Sequence, residues 1–155
     1  MVKRVILTLL FITNIANADI FDKGKTSFGL TAGASGSYFL LGGNINYFAM
    51  DNLNIGLMYR TWMGSSPTQN EFSLSANYFL KFNEKFRPYL GVFAKTRLIS
   101  NYNDINSFGA RGGLSFISGN TFTSVGYAYE KYGDCSTILQ DCSTAYPEVV
   151  FGISF

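Results

Sequence analysis

Histidine is absent from this sequence of 155 residues, and charged residues make up only 14% of it. Imidazole bases, Ser-His and Cys-His nucleophile pairs and most zinc sites need a histidine, so the common hydrolases are excluded. Two of the 12 Lys and Arg residues, Lys3 and Arg4, lie in a segment interpreted below as cleaved, which leaves 10 cations against 10 Asp and Glu. A neutral chain offers no basic surface, and we expect no nucleic-acid partner.

The chain also lacks an apolar run long enough for a membrane-spanning helix. Its N-terminal run, residues 5–12, is well below the roughly 20 residues that a helix needs to cross a bilayer, which disfavours a transmembrane anchor. This run follows Lys3 and Arg4 and precedes Ala16-Asn17-Ala18, a small-x-small pattern that signal peptidase accepts. We therefore expect residues 1–18 to be a cleaved signal peptide and residues 19–155 to form one exported domain.

The exported part alternates at period two. Apolar residues alternate with Gly, Ser, Thr and Asn in eight runs, which short clusters of turn-forming residues separate, and no helical pattern competes. Representative apolar-face residues of the eight runs in chain order are Phe28, Ile45, Leu57, Leu74, Val92, Leu114, Val125 and Phe151. The pattern predicts an all-β, eight-stranded antiparallel up-and-down barrel.

Two barrels fit this pattern, and they are inside-out versions of each other. A soluble ligand-binding barrel of the lipocalin or avidin kind has an apolar interior, whereas a transmembrane barrel turns its apolar face to lipid. The polar face of this chain is mostly Gly, Ser, Asn and Ala, although roughly a quarter to a third of a water-exposed surface is normally charged. The apolar face carries no formal charge in the eight runs. Both observations favour the transmembrane barrel.

Loop lengths and aromatic residues agree with that choice. The second, fourth and sixth connections are short turns, whereas residues 63–70, 99–106 and 133–146 form longer hydrophilic loops and residues 35–38 a short one. Long outer loops with short periplasmic turns are typical of outer-membrane barrels. Aromatic residues gather near the run ends, as in interfacial girdles: Tyr47, Tyr59, Trp62, Phe72, Phe82, Phe116 and Tyr129.

The chain ends in an alternating apolar strand, residues 149–155, whose last residue is Phe155. Phe151, Ile153 and Phe155 look like the C-terminal signature by which the assembly machinery recognises bacterial outer-membrane barrels. With the signal peptide and eight strands, the chain resembles the small OmpA-like and OmpX-like barrels of Gram-negative envelopes. The resemblance implies an outer-membrane location, lipid and the barrel-assembly machinery as partners, and no particular activity.

Seven charged residues fall on the polar, luminal face by parity: Arg60, Glu71, Lys95, Arg97, Arg111, Glu130 and Glu148. Arg60 and Glu71 face each other in one hairpin and are expected to pair. Lys95, Arg97 and Arg111 form a basic wall opposite Glu130 and Glu148, with Arg111 expected to pair with Glu130. An eight-stranded barrel is only just wide enough for side chains, so these charges are expected to close the lumen. The alternatives are a gated ion path and a pair of acid-base carboxylates.

Cys135 and Cys142 lie in the last outer loop. In an oxidising compartment they are expected to form a disulfide, worth roughly 2–3 kcal/mol to the loop. Zinc binding is the alternative, but two thiols without histidine are an incomplete ligand set.

Taken together, the sequence predicts a monomeric barrel with a structural or surface-interaction role, no enzymatic activity, no metal and no cofactor. The outer loops are the candidate surface for an extracellular ligand. The alternative is a narrow porin-like channel, or a lateral path for small or apolar solutes.

Overall fold

The computed structural model describes residues 19–35, 38–64, 69–100, 104–133 and 142–155. The predicted signal peptide, residues 1–18, lies outside this range. Within these segments no helix is both long and apolar enough to cross a membrane.

Eight strands form one closed barrel, in which each strand pairs antiparallel with its neighbours in the chain and β8 pairs with β1. The strands are β1 (Thr26–Ser35), β2 (Tyr38–Met50), β3 (Leu53–Met63), β4 (Gln69–Phe79), β5 (Phe86–Ile99), β6 (Ile105–Ser118), β7 (Thr121–Tyr132) and β8 (Ser143–Ser154). The predicted eight-stranded up-and-down barrel is confirmed. We call the end with the β2–β3, β4–β5 and β6–β7 turns the turn end, and the opposite end the loop end.

The two faces of each strand follow the predicted alternation. In β3, for example, Asn54, Met58 and Arg60 are buried in the lumen, whereas Ile55 and Leu57 are exposed on the outside. Large hydrophobic side chains cover the exterior of all eight strands. Such an exterior would be unstable in water and is what contact with lipid requires.

One charge faces outward where the sequence pattern showed none. β7 extends two residues beyond Glu130, the last residue of the predicted run, so that Lys131 lies exposed on the outer face at the loop end. A cation near the end of a spanning strand costs little, because its ammonium group reaches water.

Several boundaries also differ from the predicted ones. β6 begins at Ile105 rather than after Asn106, β4 ends at Phe79 rather than Phe82, β5 begins at Phe86 rather than Tyr89, and β8 begins at Ser143 rather than after Tyr146. Pro88 and the polar residues after Cys142 weaken the strand pattern in the last two cases. Arg87 and Tyr146 consequently belong to strands, and both are buried in the lumen.

Trp62 was expected in the outer girdle, and that prediction is wrong. Its side chain lies in the lumen, and only 7% of the residue is exposed. Trp62 has the same parity as Arg60, so the alternation that sends Arg60 inward sends Trp62 inward too. The other predicted girdle residues, Tyr47, Tyr59, Phe72, Phe82, Phe116 and Tyr129, are exposed on the outside.

The seam between β1 and β8 is the shortest ladder of the barrel. It joins six residue pairs, from Ser27–Ser154 to Ala32–Val149, whereas the other described ladders join ten to twelve. The Val149 carbonyl accepts a bond from the Thr31 hydroxyl at 3.1 Å, which shows that alternate residues of β8 direct their backbone groups at β1. Pro147 is the next such residue, and it has no N–H to donate. The ladder stops there.

Candidate functional site

The structure brings all seven predicted luminal charges together in the half of the barrel nearer the loop end. We call these residues, Arg60, Glu71, Lys95, Arg97, Arg111, Glu130 and Glu148, the luminal network. Six of their side chains are at most 4% exposed, and Arg97, nearest the outside, is 13% exposed. Because alternate residues of β3–β8 point inward, the network draws on six of the eight strands.

Glu71 is the centre of the network. Arg60 and Arg97 are its direct register partners on β3 and β5. Its carboxylate lies 3.0 Å from Nη2 of Arg60, 2.7 Å from Nη2 of Arg97 and 3.3 Å from Nζ of Lys95. The predicted pairing of Arg60 with Glu71 is therefore present, and two further cations share the same carboxylate.

Glu130 is held by Lys95, which lies two strands away on β5. The hydroxyl of Ser107 donates a hydrogen bond of 2.7 Å to the same carboxylate. Ser107 and Gly109 are the residues of the intervening strand at this level, since they pair with Lys95 and Glu130 respectively. Their small size leaves room for the two long side chains to meet across β6.

Arg111 pairs with Glu148 rather than with Glu130, which corrects the sequence-based expectation. Nη1 of Arg111 lies 3.3 Å from Oε1 of Glu148. The intervening strand β7 again presents small residues, Ala128 opposite Arg111 and Gly126 opposite Glu148. Longer residues at those positions would have separated the pair. Four cations against three carboxylates leave one positive charge in excess in the luminal network.

Aromatic rings fill the space around these charges. Tyr146 lies beside Arg60 and Lys95, and its hydroxyl accepts a 3.4 Å hydrogen bond from each. The Arg111 guanidinium stacks on Phe93 at 4.7 Å from the ring centroid, and Arg97 lies 5.7 Å from Trp62. Cation–π contacts of this kind stabilise charges that have left water. Tyr146 was predicted to lie in a loop, so the sequence did not indicate its place beside the luminal network.

A second polar group, at the turn end, was also missed. Arg87 is 2% exposed and forms an ion pair with the carboxylate of Asp19. Its Nη1 donates a 2.7 Å hydrogen bond to Oδ1 of Asn52, whose positive φ of 64° is a conformation that asparagine tolerates. Parity could have found Arg87, since it precedes the luminal Tyr89 by two residues. Nothing in the pattern of residues 19–25 indicated Asp19.

The other predicted site residues are the two cysteines of the last loop and the three apolar residues of the C-terminal strand. Cys142 is disulfide-bonded, whereas Cys135 lies outside the described residues, so their pairing stays a prediction. Phe151, Ile153 and Phe155 are exposed on the outer face of the C-terminal strand. No group of three or more metal-binding side chains exists in the part of the chain that the structure describes.

A closed barrel with an apolar exterior and a filled, charged lumen defines a class: the chain has the fold of the small eight-stranded outer-membrane barrels. Solved structures of that class match it over most of its length. The N-terminal barrel domain of OprF from Pseudomonas aeruginosa is 22% identical, with 86% of this chain and 98% of that chain covered and a TM-score of 0.65.

Neisserial surface protein A is 16% identical, with 84% and 93% of the two chains covered and a TM-score of 0.57. A de novo designed transmembrane β-barrel is 14% identical, with 86% and 96% covered and a TM-score of 0.58. No family model and no curated protein matches the sequence. Because a designed barrel matches as well as a natural one, these likenesses establish the fold and not an activity.

Proposed function

We propose that this protein is a monomeric, integral outer-membrane barrel of a Gram-negative envelope, with a structural or surface-interaction role, in which the luminal network closes the lumen. The location is supported by the apolar exterior and by the similarity in fold to the OprF barrel domain and Neisserial surface protein A. In this orientation the turn end faces the periplasm, lipid surrounds the strands, and Phe151, Ile153 and Phe155 are the signal read by the assembly machinery.

The observation that carries the closed lumen is the sharing of charges across the barrel. Glu71 bridges β3, β4 and β5, Glu130 is bound from β5, and Glu148 is bound from β3 and β6. An ion that crosses the barrel would have to break several of these buried pairs, each of which is costly to separate once desolvated. The same sharing supports a non-enzymatic role, because every luminal carboxylate is already bound to a cation.

The loops at the loop end are then the surface that meets the outside. The disulfide proposed for Cys135 and Cys142 would hold the last of them in shape. We propose these loops as the surface for an extracellular ligand.

Current through the purified, full-length protein in planar bilayers tests the proposal. We expect no steady open state at neutral pH, while a general porin reconstituted in the same bilayers conducts. A steady current through the wild-type protein would contradict the closed lumen and favour a narrow porin-like channel.

A lateral path for apolar solutes is a second candidate, and the seam favours it. Beyond Ala32 and Val149 the described ladder between β1 and β8 stops, so the wall is weakest at that level. The lumen beside the seam is occupied by the buried side chains of Arg60, Tyr146 and Glu148. A solute could therefore pass only between the two strands of the wall and not along the lumen. A disulfide engineered across the seam would abolish uptake of an apolar solute by this route, and unchanged uptake would exclude it.

A further inference from the structure

A set of apolar side chains lines the lumen at the turn end, away from the luminal network. Phe48, Phe79, Tyr89, Phe122 and Val150 come from five different strands and are all buried. We call these five residues the aromatic cup. Glycines make room for the rings: a Cβ atom added at Gly152 would overlap the Phe122 ring.

Phe21, from the segment before β1, packs inside the cup. Its ring stacks on Phe79 with 4.3 Å between centroids and on Phe48 with 5.3 Å, and it meets Phe122 edge-on at 5.7 Å. No part of Phe21 is exposed. Aromatic packing of this kind adds to the free energy gained from burial alone.

Polar groups hold the same segment at its backbone. The Phe21 carbonyl accepts a 2.8 Å hydrogen bond from the Asn52 amide, and the Ile20 carbonyl accepts one of 2.7 Å from the Ser154 hydroxyl. Arg87 binds the Asp19 carboxylate and lies 5.2 Å from the centre of the Phe21 ring. The cup thus surrounds an aromatic ring, and Arg87 beside it binds a carboxylate two residues away.

The amino-terminal side of the segment is also placed for a charge. The Asp19 nitrogen donates a 2.9 Å hydrogen bond to Oδ2 of Asp22. If residues 1–18 are removed, as the sequence predicts, this nitrogen becomes an ammonium group and the bond becomes an ion pair. That ion pair would lie within the segment, so it would hold residues 19–22 in their turn conformation rather than add a contact to the cup.

A small polar cavity separates the cup from the luminal network. Its volume is about 30 Å³, room for about two water molecules. The cavity is lined on one side by Tyr89 and Phe122 of the cup, and on the other by Arg111 and Glu148 of the network. Ser75 also lines it. The lumen therefore has two separate closures with a chamber between them.

We propose that the aromatic cup is a binding site for the chain's own N-terminal residues 19–22, an acidic peptide with one central aromatic ring, and that this binding closes the barrel at the turn end independently of the luminal network. The inference extends the proposed function, which attributed closure to the network alone. It assigns a ligand class to a site outside the predicted charge set.

Access to the chamber tests the inference. A single cysteine at Ser75 (Ser75→Cys, in a Cys135→Ser, Cys142→Ser background) reports whether a small water-soluble thiol reagent enters the lumen of the folded protein. We expect slow labelling with the native segment and a rate raised by about tenfold or more by Phe21→Ser, since the variant unseats the segment. Phe21→Leu, which keeps an apolar side chain in the cup, is the matched control and should stay protected.

Two further measurements keep a folding defect from being mistaken for opening. A cysteine at the exposed Ser118, on the turn end, should label at the same fast rate in all variants. In a variant that lacks residues 19–22, the synthetic peptide Asp-Ile-Phe-Asp should restore protection of the Ser75 position, and Asp-Ile-Gly-Asp should not.

The outcomes separate this inference from the proposed function. Fast labelling at position 75 with the native segment would overturn closure by the cup if the wild-type protein still passes no current in planar bilayers, and would contradict the closed lumen itself if the protein conducts. Slow labelling both with the native segment and with Phe21→Ser would leave the closed lumen standing and overturn the role of the cup. Failure of the Phe-containing peptide to protect would overturn the assignment of its ligand.

Discussion

At the scale of single residues, Glu71 and Glu148 differ although both are buried luminal carboxylates. Glu71 contacts three cations at 3.3 Å or less, whereas Glu148 lies 3.3 Å from Arg111 and 3.9 Å from Arg60. Because the contacts of Glu71 are shorter and more numerous, neutralising Glu71 leaves more positive charge uncompensated than neutralising Glu148 does.

We therefore expect Glu71→Gln to destabilise the barrel more than the matched change Glu148→Gln. Breaking a buried pair by removing one partner costs about 3–5 kcal/mol, and Glu71→Gln should fall in that range. Urea unfolding of the protein in lipid vesicles measures both values. Equal losses would show that water enters the network and screens its charges.

Ionisation of Asp19 makes the stability of the bound N-terminal segment depend on pH. Burial opposes ionisation of its carboxyl group, but the hydrogen bond and charge of Arg87, the Phe21 amide and the charge of Lys81 outweigh this and lower the pKa of Asp19 below its ordinary value. A lowered pKa in the folded state stabilises the bound segment above the ordinary carboxyl pKa of about 4, and this stability is lost as the pH falls through the lower folded value.

Acid should therefore loosen the segment. The methyl resonances of Ile20, followed by NMR from neutral pH downward, are expected to shift with a midpoint below the ordinary aspartate value. Asp19→Asn should remove that step, which assigns the step to this carboxyl group. A midpoint above the ordinary value would mean that burial dominates over Arg87.

Parity was enough to place the luminal charges, but not to pair them. Period two assigns each side chain to a face, whereas a partner across the lumen depends on the stagger of the strands and on the space between them. Arg111 reaches Glu148 because Ala128 and Gly126 lie between the two strands, and Glu130 is reached by Lys95 over Ser107. Small residues on an intervening strand are thus a sequence signal for pairing across it.

At the scale of elements, the seam between β1 and β8 should be the least stable part of the wall. A strand edge without ladder partners opens locally at low cost, because few hydrogen bonds must break. We expect the amides of Tyr146 and Glu148, which point at β7, to exchange with deuterium no faster than central β7 amides. The amide of Ala34, which points at β8 beyond the end of the ladder, should exchange much faster than that of Leu30, which pairs with Phe151. Hydrogen exchange of the protein in micelles measures this contrast, and equal protection at Ala34 and Leu30 would show a continuous ladder.

Elements with regular alternation were predicted well, and the segment before β1 was not. Residues 19–25 contain two turns and no periodic pattern, so only the barrel reveals that Phe21 is buried. The ring packs in a cluster to which five strands, far apart in the sequence, contribute residues. A pattern within a few neighbouring residues contains no information about such contacts.

At the scale of the whole molecule, the exterior should tolerate charge only near its ends. Leu57 lies at the middle of β3, and Asn106 lies at the loop end of β6; both are exposed on the outer face. Arginine costs about 2–4 kcal/mol at the bilayer midplane and about 0–1 kcal/mol near the interface. Leu57→Arg should greatly reduce the fraction folded into vesicles and Asn106→Arg should not, as heat-modifiable gel mobility can measure. Equal tolerance would contradict the lipid-facing assignment.

Two closures in series change what opening the lumen requires. If the luminal charges were the only closure, removal of one matched pair should suffice for conduction. With the cup occupied, Lys95→Ala with Glu130→Ala should stay closed, and so should a variant that lacks only residues 19–22. Combining both changes should give a steady current in planar bilayers.

That current should favour anions, because Arg60, Arg97 and Arg111 then outnumber Glu71 and Glu148. Reversal potentials under a salt gradient measure the preference. Each of the two separate variants, the Lys95 and Glu130 double substitution and the deletion of residues 19–22, keeps one closure. Conduction by either of them would show that the remaining closure does not close the lumen independently.

The aromatic cup also orders events in time. Its five residues are spread from Phe48 to Val150, and they converge only when the last strand has joined the barrel. The residues that fill it precede the first strand. A segment that is synthesised before every strand is therefore among the last to reach its final position, and a buried Phe21 marks a barrel whose wall has already closed.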